Sequence, residues 1–298
     1  MVEEPHHTAA LDFKKYVEEK TKGRVEVQIY PASQLGGEER AFQDVQQGVI
    51  QIASLASNNA AVFAPSLYVI DLPYLFRTNQ EGWAILDKYW DELNAKTIKE
   101  SGNRIIGWLD LGYRHVCNSK RPIRTIEDLK GLKIRVPNNP VMINTFRAWG
   151  CEPTPLAWDE TFNALQQKVV DGQDNPLVSI ATNRFYEVQK YFTEVNYQFH
   201  PDPFYVNAAW WNGLPEEYRD IITECATKMG EYNDELIDKN SSAAKQTIVD
   251  SGCEVYEPSA DELKAFQTAV QSVYDQCVTE GICTADEIKE MQDIVAKA

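Results

Sequence analysis

The sequence predicts an α/β fold of two lobes braced by one long helix, and three observations support this. At 298 residues the chain exceeds the usual single-domain length. Strand-like and helix-like apolar periodicities alternate as far as Phe204, which is the pattern of largely parallel α/β sheets. After Pro215 one helical pattern continues to about Asp250, too long for a single crossover. No linker, tandem repeat or low-complexity run separates the lobes, so the chain is expected to cross between them several times. The expected division is residues 1–111 with about 203–240, and residues 112–202 with about 241–298.

Residues 8–21 form the first expected helix, with Ala10, Phe13 and Val17 on one face and Gly23 as its stop. Residues 24–30 alternate through Val25, Val27 and Ile29 and read as a strand ending at Pro31. Gly36-Gly37 opens a helix over 38–47, and 49–55 is a second apolar strand. One helix is expected over 79–100, carrying Trp83, Leu86, Trp90 and Leu93 inwards, followed by a strand at 104–109. A short helix at 125–130, a strand at 132–136 and helices at 140–149 and 159–168 follow, with a turn at Asp171-Gly172. Past the long helix, Ser259 with Glu262 and Thr284 with Glu287 are capping boxes announcing C-terminal helices.

A formal net charge of −16 argues against nucleic acid and anionic membrane surfaces as partners. No apolar run approaches the length of a spanning helix, so the chain is not expected to cross a membrane itself. An anionic ligand would gain nothing from the global field and would need local positive groups in a desolvated cleft, which screening within about 8 Å makes possible. Six cysteines include no CxxC pair and there are only four histidines, so neither a metal site nor a cofactor is expected. The cysteines read either as buried thiols or as disulfides, with Cys277 and Cys283 the first pair to consider. No signal peptide is visible after Met1-Val2-Glu3-Glu4, which is expected if a leader is absent from this chain.

No nucleophile, zinc or phosphate-loop pattern accompanies His6, His7 or His115, and Asp171 and Asp174 read more simply as turn residues than as an acid–base pair. The informative stretch is Gly131-Leu132-Lys133-Ile134-Arg135-Val136-Pro137. Period-two alternation sets Leu132, Ile134 and Val136 on one face and Lys133 and Arg135 on the other. Pro137 ends the strand, so Arg135 sits at its carboxyl end, where α/β sheets bind ligands. A guanidinium there can grip a carboxylate through two parallel hydrogen bonds, although spacing alone favours a solvent-facing edge arginine.

Together with Tyr30-Pro31-Ala32-Ser33-Gln34-Leu35-Gly36, Leu72-Pro73-Tyr74, Pro153-Thr154-Pro155, Trp158, Asp171-Gly172-Gln173-Asp174-Asn175-Pro176 and Phe185-Tyr186-Glu187-Val188, this stretch resembles the substrate-binding proteins of TRAP transporters (tripartite ATP-independent periplasmic, DctP-type). The resemblance runs in order across nearly the whole chain. It implies a two-lobed fold of the periplasmic-binding-protein type whose long helix spans the hinge. The implied protein is periplasmic, not an enzyme; it closes around a small organic acid and delivers it to separate permease subunits. By the same resemblance Arg135 grips the ligand carboxylate, Arg114 is the second arginine, Asn175 supplies an amide and Trp158 packs over the ligand. Ser57, Asn58, His200 and Asp202 fall in regions that vary with substrate. The resemblance also implies a strand ahead of the first helix, which is expected either to be missing here or to reflect a misassigned start, and places His6 and His7 near the cleft. Two alternatives stand beside this reading: a ligand-sensing module for a receptor, and an enzyme acting on a carboxylate substrate.

Overall fold

A computed structural model describes residues 5–297. In chain order the helices are α1 (Pro5–Lys20), α2 (Glu38–Gln46), α3 (Ser57–Ala60), α4 (Asn79–Lys88), α5 (Trp90–Ser101), α6 (Pro140–Ala148), α7 (Trp158–Gln166), α8 (Leu177–Thr182), α9 (Ala208–Gly213), α10 (Glu216–Asp250), α11 (Ala260–Ala269), α12 (Gln271–Thr279) and α13 (Ala285–Val295). The strands are β1 (Ile52–Ser54), β2 (Asn103–Asn118), β3 (Lys133–Val136), β4 (Glu152–Pro155), β5 (Gly172–Asn175), β6 (Tyr191–Asn207) and β7 (Glu254–Tyr256). They form one sheet in the order β1-β6-β2-β5-β3-β4, with β7 against β6.

The sheet is mixed rather than largely parallel. β3–β4, β3–β5 and β6–β7 are parallel, but the two long strands β2 and β6 pair antiparallel along their length. Their ladder shifts register between Ile105 and Gly107, Asp110 and Tyr113, and Arg114 and Val116. Such bulges bend a strand pair, here as it passes from one half of the molecule to the other. Only 104–109 of β2 was expected as strand, and β6 was not expected at all. The polar run Gly112-Tyr113-Arg114-His115 and the prolines Pro201 and Pro203 mask both strands in the sequence. The expected turn at Asp171-Gly172 reaches only to the bend at Asp171, and Gly172 already starts β5, all four of whose residues are buried.

α10 is the expected brace, 35 residues long and so about 52 Å from end to end. Ile222, Cys225, Ala226 and Met229 of its first half join Phe13, Val17, Ile106 and Phe204 in one apolar cluster. Ile237, Ala244 and Ile248 of its second half join Cys117, Leu165, Ile180 and Phe192 in another. Between them Gly230 lets the helix meet β2, since a Cβ there would stand 2.8 Å from the Trp108 carbonyl oxygen. Asn233 Nδ2 then donates to the Asp110 carbonyl at 2.7 Å.

Three further expectations are modified. Residues 24–30 are extended, with Val25, Val27 and Ile29 half-buried in alternation, but among the described residues they join no strand ladder. The α1 side chains satisfy the backbone instead: Val27 N donates to Glu18 Oε1 at 3.0 Å, and Lys14 Nζ donates to the Val27 carbonyl. The helix over 79–100 breaks at Tyr89 (φ −94°, ψ 1°), which sinks into the core while Trp90 turns edge-on to Trp108. All six cysteines are free thiols. The turn at Gly281 brings the Cys283 N–H to the Cys277 carbonyl at 3.3 Å, so these two meet through backbone and not through a disulfide. Both capping boxes form as expected.

Candidate functional site

β3 ends at Val136, and in the sheet β5 lies beside it, followed in order by β2 and β6. This stacks four polar residues where a sheet interior normally holds apolar ones: Arg135, Arg114, Asp174 and His200, each at most 4% exposed. A buried charge is tolerated only when paired and hydrogen-bonded, and the pairing here is unequal.

Arg114 is engaged at each of its three nitrogens. Its Nε donates to Asp174 Oδ2 at 2.6 Å, its Nη2 to the Asp174 carbonyl at 2.6 Å, and its Nη1 meets His200 Nδ1 at 2.8 Å. Tyr197 donates its hydroxyl to the same Asp174 oxygen. Burial works against the Arg114 cation, and Asp174 more than offsets it, leaving its pKa raised. Because Nδ1 of His200 accepts from Arg114, the proton is assigned to Nε2, which faces Asp202 Oδ1 at 3.3 Å. Burial and the Arg114 charge hold His200 well below the ordinary histidine pKa, so it stays neutral.

Arg135 has no carboxylate partner. Nε and Nη2 both donate to the Leu156 carbonyl, at 2.9 and 2.7 Å, and the guanidinium carbon lies 6.0 Å from the Trp158 ring centroid. Two of its five N–H donors are thus used for positioning and the remainder are available to a ligand. Burial, then repulsion from Arg114, brings its pKa down to about 10, so it remains charged at neutral pH.

These groups open on a cavity of about 1250 Å³. Of the residues singled out from the sequence, Arg135, Arg114, Asn175, Trp158, Asn58, His200 and Asp202 all line it, as do His6 and His7. Ser57 does not: it is 1% exposed and lies behind the wall. The cavity also extends into an apolar arm lined by Phe13, Val17, Val27, Ile52 and Phe204. His115 is buried away from it. Asp171 serves β3, accepting from Lys133 N at 3.0 Å and pairing with Lys120.

Sequence reasoning missed Glu38, Asn59, Asp71 and Asn139. Glu38 opens α2 on the cavity wall and accepts from Asn59 Nδ2. Burial pushes its carboxyl up to about 7 against the pull of Arg135. The signal was present: an acidic residue directly after Gly36-Gly37 begins a helix at the end of an extended segment. Asp71 and Asn139 left no comparable trace. Asn139 caps α6 and donates both to Asp71 Oδ2 at 2.7 Å and to the Asn58 carbonyl at 3.0 Å, tying the cavity wall together from behind.

A buried, partly uncommitted guanidinium at the carboxyl end of a strand is chemically suited to an anion. The family model for bacterial extracellular solute-binding protein, family 7 (DctP), matches residues 2–280. The chain belongs to this family. The 2,3-diketo-L-gulonate-binding periplasmic protein YiaO of Escherichia coli is 30% identical over 97% of this chain and 88% of its own length. Among solved structures, the sugar acid binding protein DctPAm from Advenella mimigardefordensis in complex with galactonate superposes with a TM-score of 0.93 at 26% identity, covering 98% of this chain and 94% of that one. A TRAP periplasmic solute-binding protein from Chromohalobacter salexigens with bound D-glucuronate gives 0.91 at 30% identity, covering 97% and 96%. The two-lobed α/β fold is thus that of the DctP family, and solute binding is its function.

Proposed function

We propose that this DctP-family chain works in the periplasm, where it captures a hydroxylated organic acid by closure of its lobes and passes it to separate TRAP-type permease subunits. The observation that carries the reading is Arg135, a buried cation with donors to spare on the wall of a large cavity. Charge-assisted hydrogen bonds of this kind contribute roughly 1.5–3 kcal/mol each. Asn175 and Trp158 border the same anion position, while Glu38, Asn58, Asn59, His200 and Asp202 offer the mixed donors and acceptors that several hydroxyl groups require. Arg114, neutralised by Asp174, supports the site rather than gripping the ligand alone. Galactonate and D-glucuronate, bound by the structural relatives, combine these two chemistries and set the class expected here. The same polar set offers no nucleophile–base pair, which favours binding over catalysis.

The proposed lobes are residues 1–111 with about 203–240, and 112–202 with about 241–298. The two halves of α10 pack into two different apolar clusters, as a helix shared between two lobes does. Glu38 and Asn58 then belong to one lobe and Arg135, Trp158 and Asn175 to the other, so a ligand touching both favours the closed state. Among the described residues no helix is long and apolar enough to cross a membrane, in keeping with a separate permease. Calorimetric titration with galactonate, D-glucuronate and D-erythronate, against neutral galactose, tests the reading. Acids are expected to bind and galactose not, and Arg135→Ala to weaken the acids at least a hundredfold while melting as a folded protein. Undiminished acid binding by that variant would remove the assignment.

A further inference from the structure

We propose that Glu38 takes up a proton from solvent when an organic anion binds, so that the site captures anion and proton together. This rests on the ligand class proposed above. Glu38 lies in the first turn of α2, is half-buried and lines the cavity. The groups acting on it come from four elements: Arg135 on β3 and Arg114 on β2 favour its charge, Asn59 on α3 donates to it, and Asp159 on α7 repels it. Tyr205 on β6 is a further titratable neighbour.

In the empty site Asp174 and, after it, Glu38 partly balance Arg135, whose own side chain has no acidic hydrogen-bond partner; Asp174 is already paired with Arg114, which leaves Glu38 as the uncommitted carboxylate of the two. An arriving carboxylate takes over that balance. Glu38 then loses the benefit of the cation, gains a like charge across the cavity and is further desolvated, and all three changes favour its neutral form. Its proton affinity in the empty site, about 7, is already poised for this exchange near neutral pH. A protonated Glu38 also becomes a hydrogen-bond donor as well as an acceptor, which suits a ligand hydroxyl.

Besides the two arginines, the other titratable groups on the cavity wall are His6, His7, Glu26, Tyr30, His200, Asp202 and Tyr218. Isothermal titration with galactonate and D-glucuronate, in phosphate and in Tris at matched pH, counts protons exchanged. Wild-type protein is expected to take up close to one proton per ligand at pH 8 and almost none at pH 6. Affinity should weaken about tenfold between those pH values, as linkage to a group titrating near 7 requires. Glu38→Gln is expected to abolish both effects, whereas Asp159→Asn, at an exposed position, should retain the uptake. Binding at pH 8 without uptake by the wild type overturns the proposal alone, independently of how any variant folds. Unchanged uptake in Glu38→Gln does the same. Failure of every acid to bind at either pH overturns the underlying ligand assignment and the proposal with it.

Discussion

At the scale of single residues, the site is built on an unequal pair of arginines. Arg114 and Asp174 are 2% and 0% exposed and satisfy one another, with Tyr197 and His200 completing the shell. Removing one member of such a pair leaves an uncompensated buried charge and costs about 3–5 kcal/mol. Asp174→Ala is therefore expected to lower the denaturant midpoint sharply, while Arg135→Ala, which breaks no ion pair, should leave it nearly unchanged; urea unfolding monitored by circular dichroism distinguishes them. Arg135 was legible in the sequence because strand alternation and Pro137 fix both its face and its position. Asp174 was not, since its partner is sixty residues upstream and nothing local marks an aspartate as an arginine's counter-ion.

At the scale of elements, strands that read poorly in the sequence turn out to carry the chemistry. β5 consists of Gly172-Gln173-Asp174-Asn175 and looks like a turn, yet it is a buried strand held between β2 and β3. Its polar residues are affordable only because each has a partner: Gln173 donates to Cys117 Sγ, Asn175 donates to Gln173, and Asp174 accepts from Arg114. Gly172 is what lets the strand approach. A Cβ there would stand 2.1 Å from the Cys117 carbonyl oxygen and 2.9 Å from Ile134 Cδ1. Gly172→Ala must displace backbone, so a loss of about 3 kcal/mol is expected together with weakened ligand binding, because β5 also delivers Asp174 and Asn175. Thermal melts and titration of the same sample check both parts. Helices were far more legible. Their apolar period and caps are local, whereas β2 and β6 owe their length to each other.

At the scale of the whole molecule, buried acids set the response to pH. Burial pushes Glu38, Asp71 and Asp110 up to about 7, the last with help from Asp234 and Asp238. An unfolded chain releases these protons near pH 4, so the folded state binds more protons between about 4 and 7 and loses stability as pH rises through that window. Buried His115, held near 3, and His200 act oppositely, but only below about pH 6.5. Above that point the acids act without this opposition, and the melting temperature of ligand-free protein is expected to fall between pH 6.5 and 8, as differential scanning fluorimetry would show. A rising melting temperature over that interval would contradict the burial of these carboxyls. The lobed plan itself was legible from length, alternation and the α10 pattern, but the sheet's mixed direction was not, because pairing sense depends on contacts distant in sequence. The continuity of β2, β6 and α10 through the molecule has a thermal consequence. Separating the halves means severing three spans together, so neither half can melt while the other stays intact, and calorimetry should record one endotherm, its van't Hoff and calorimetric enthalpies equal.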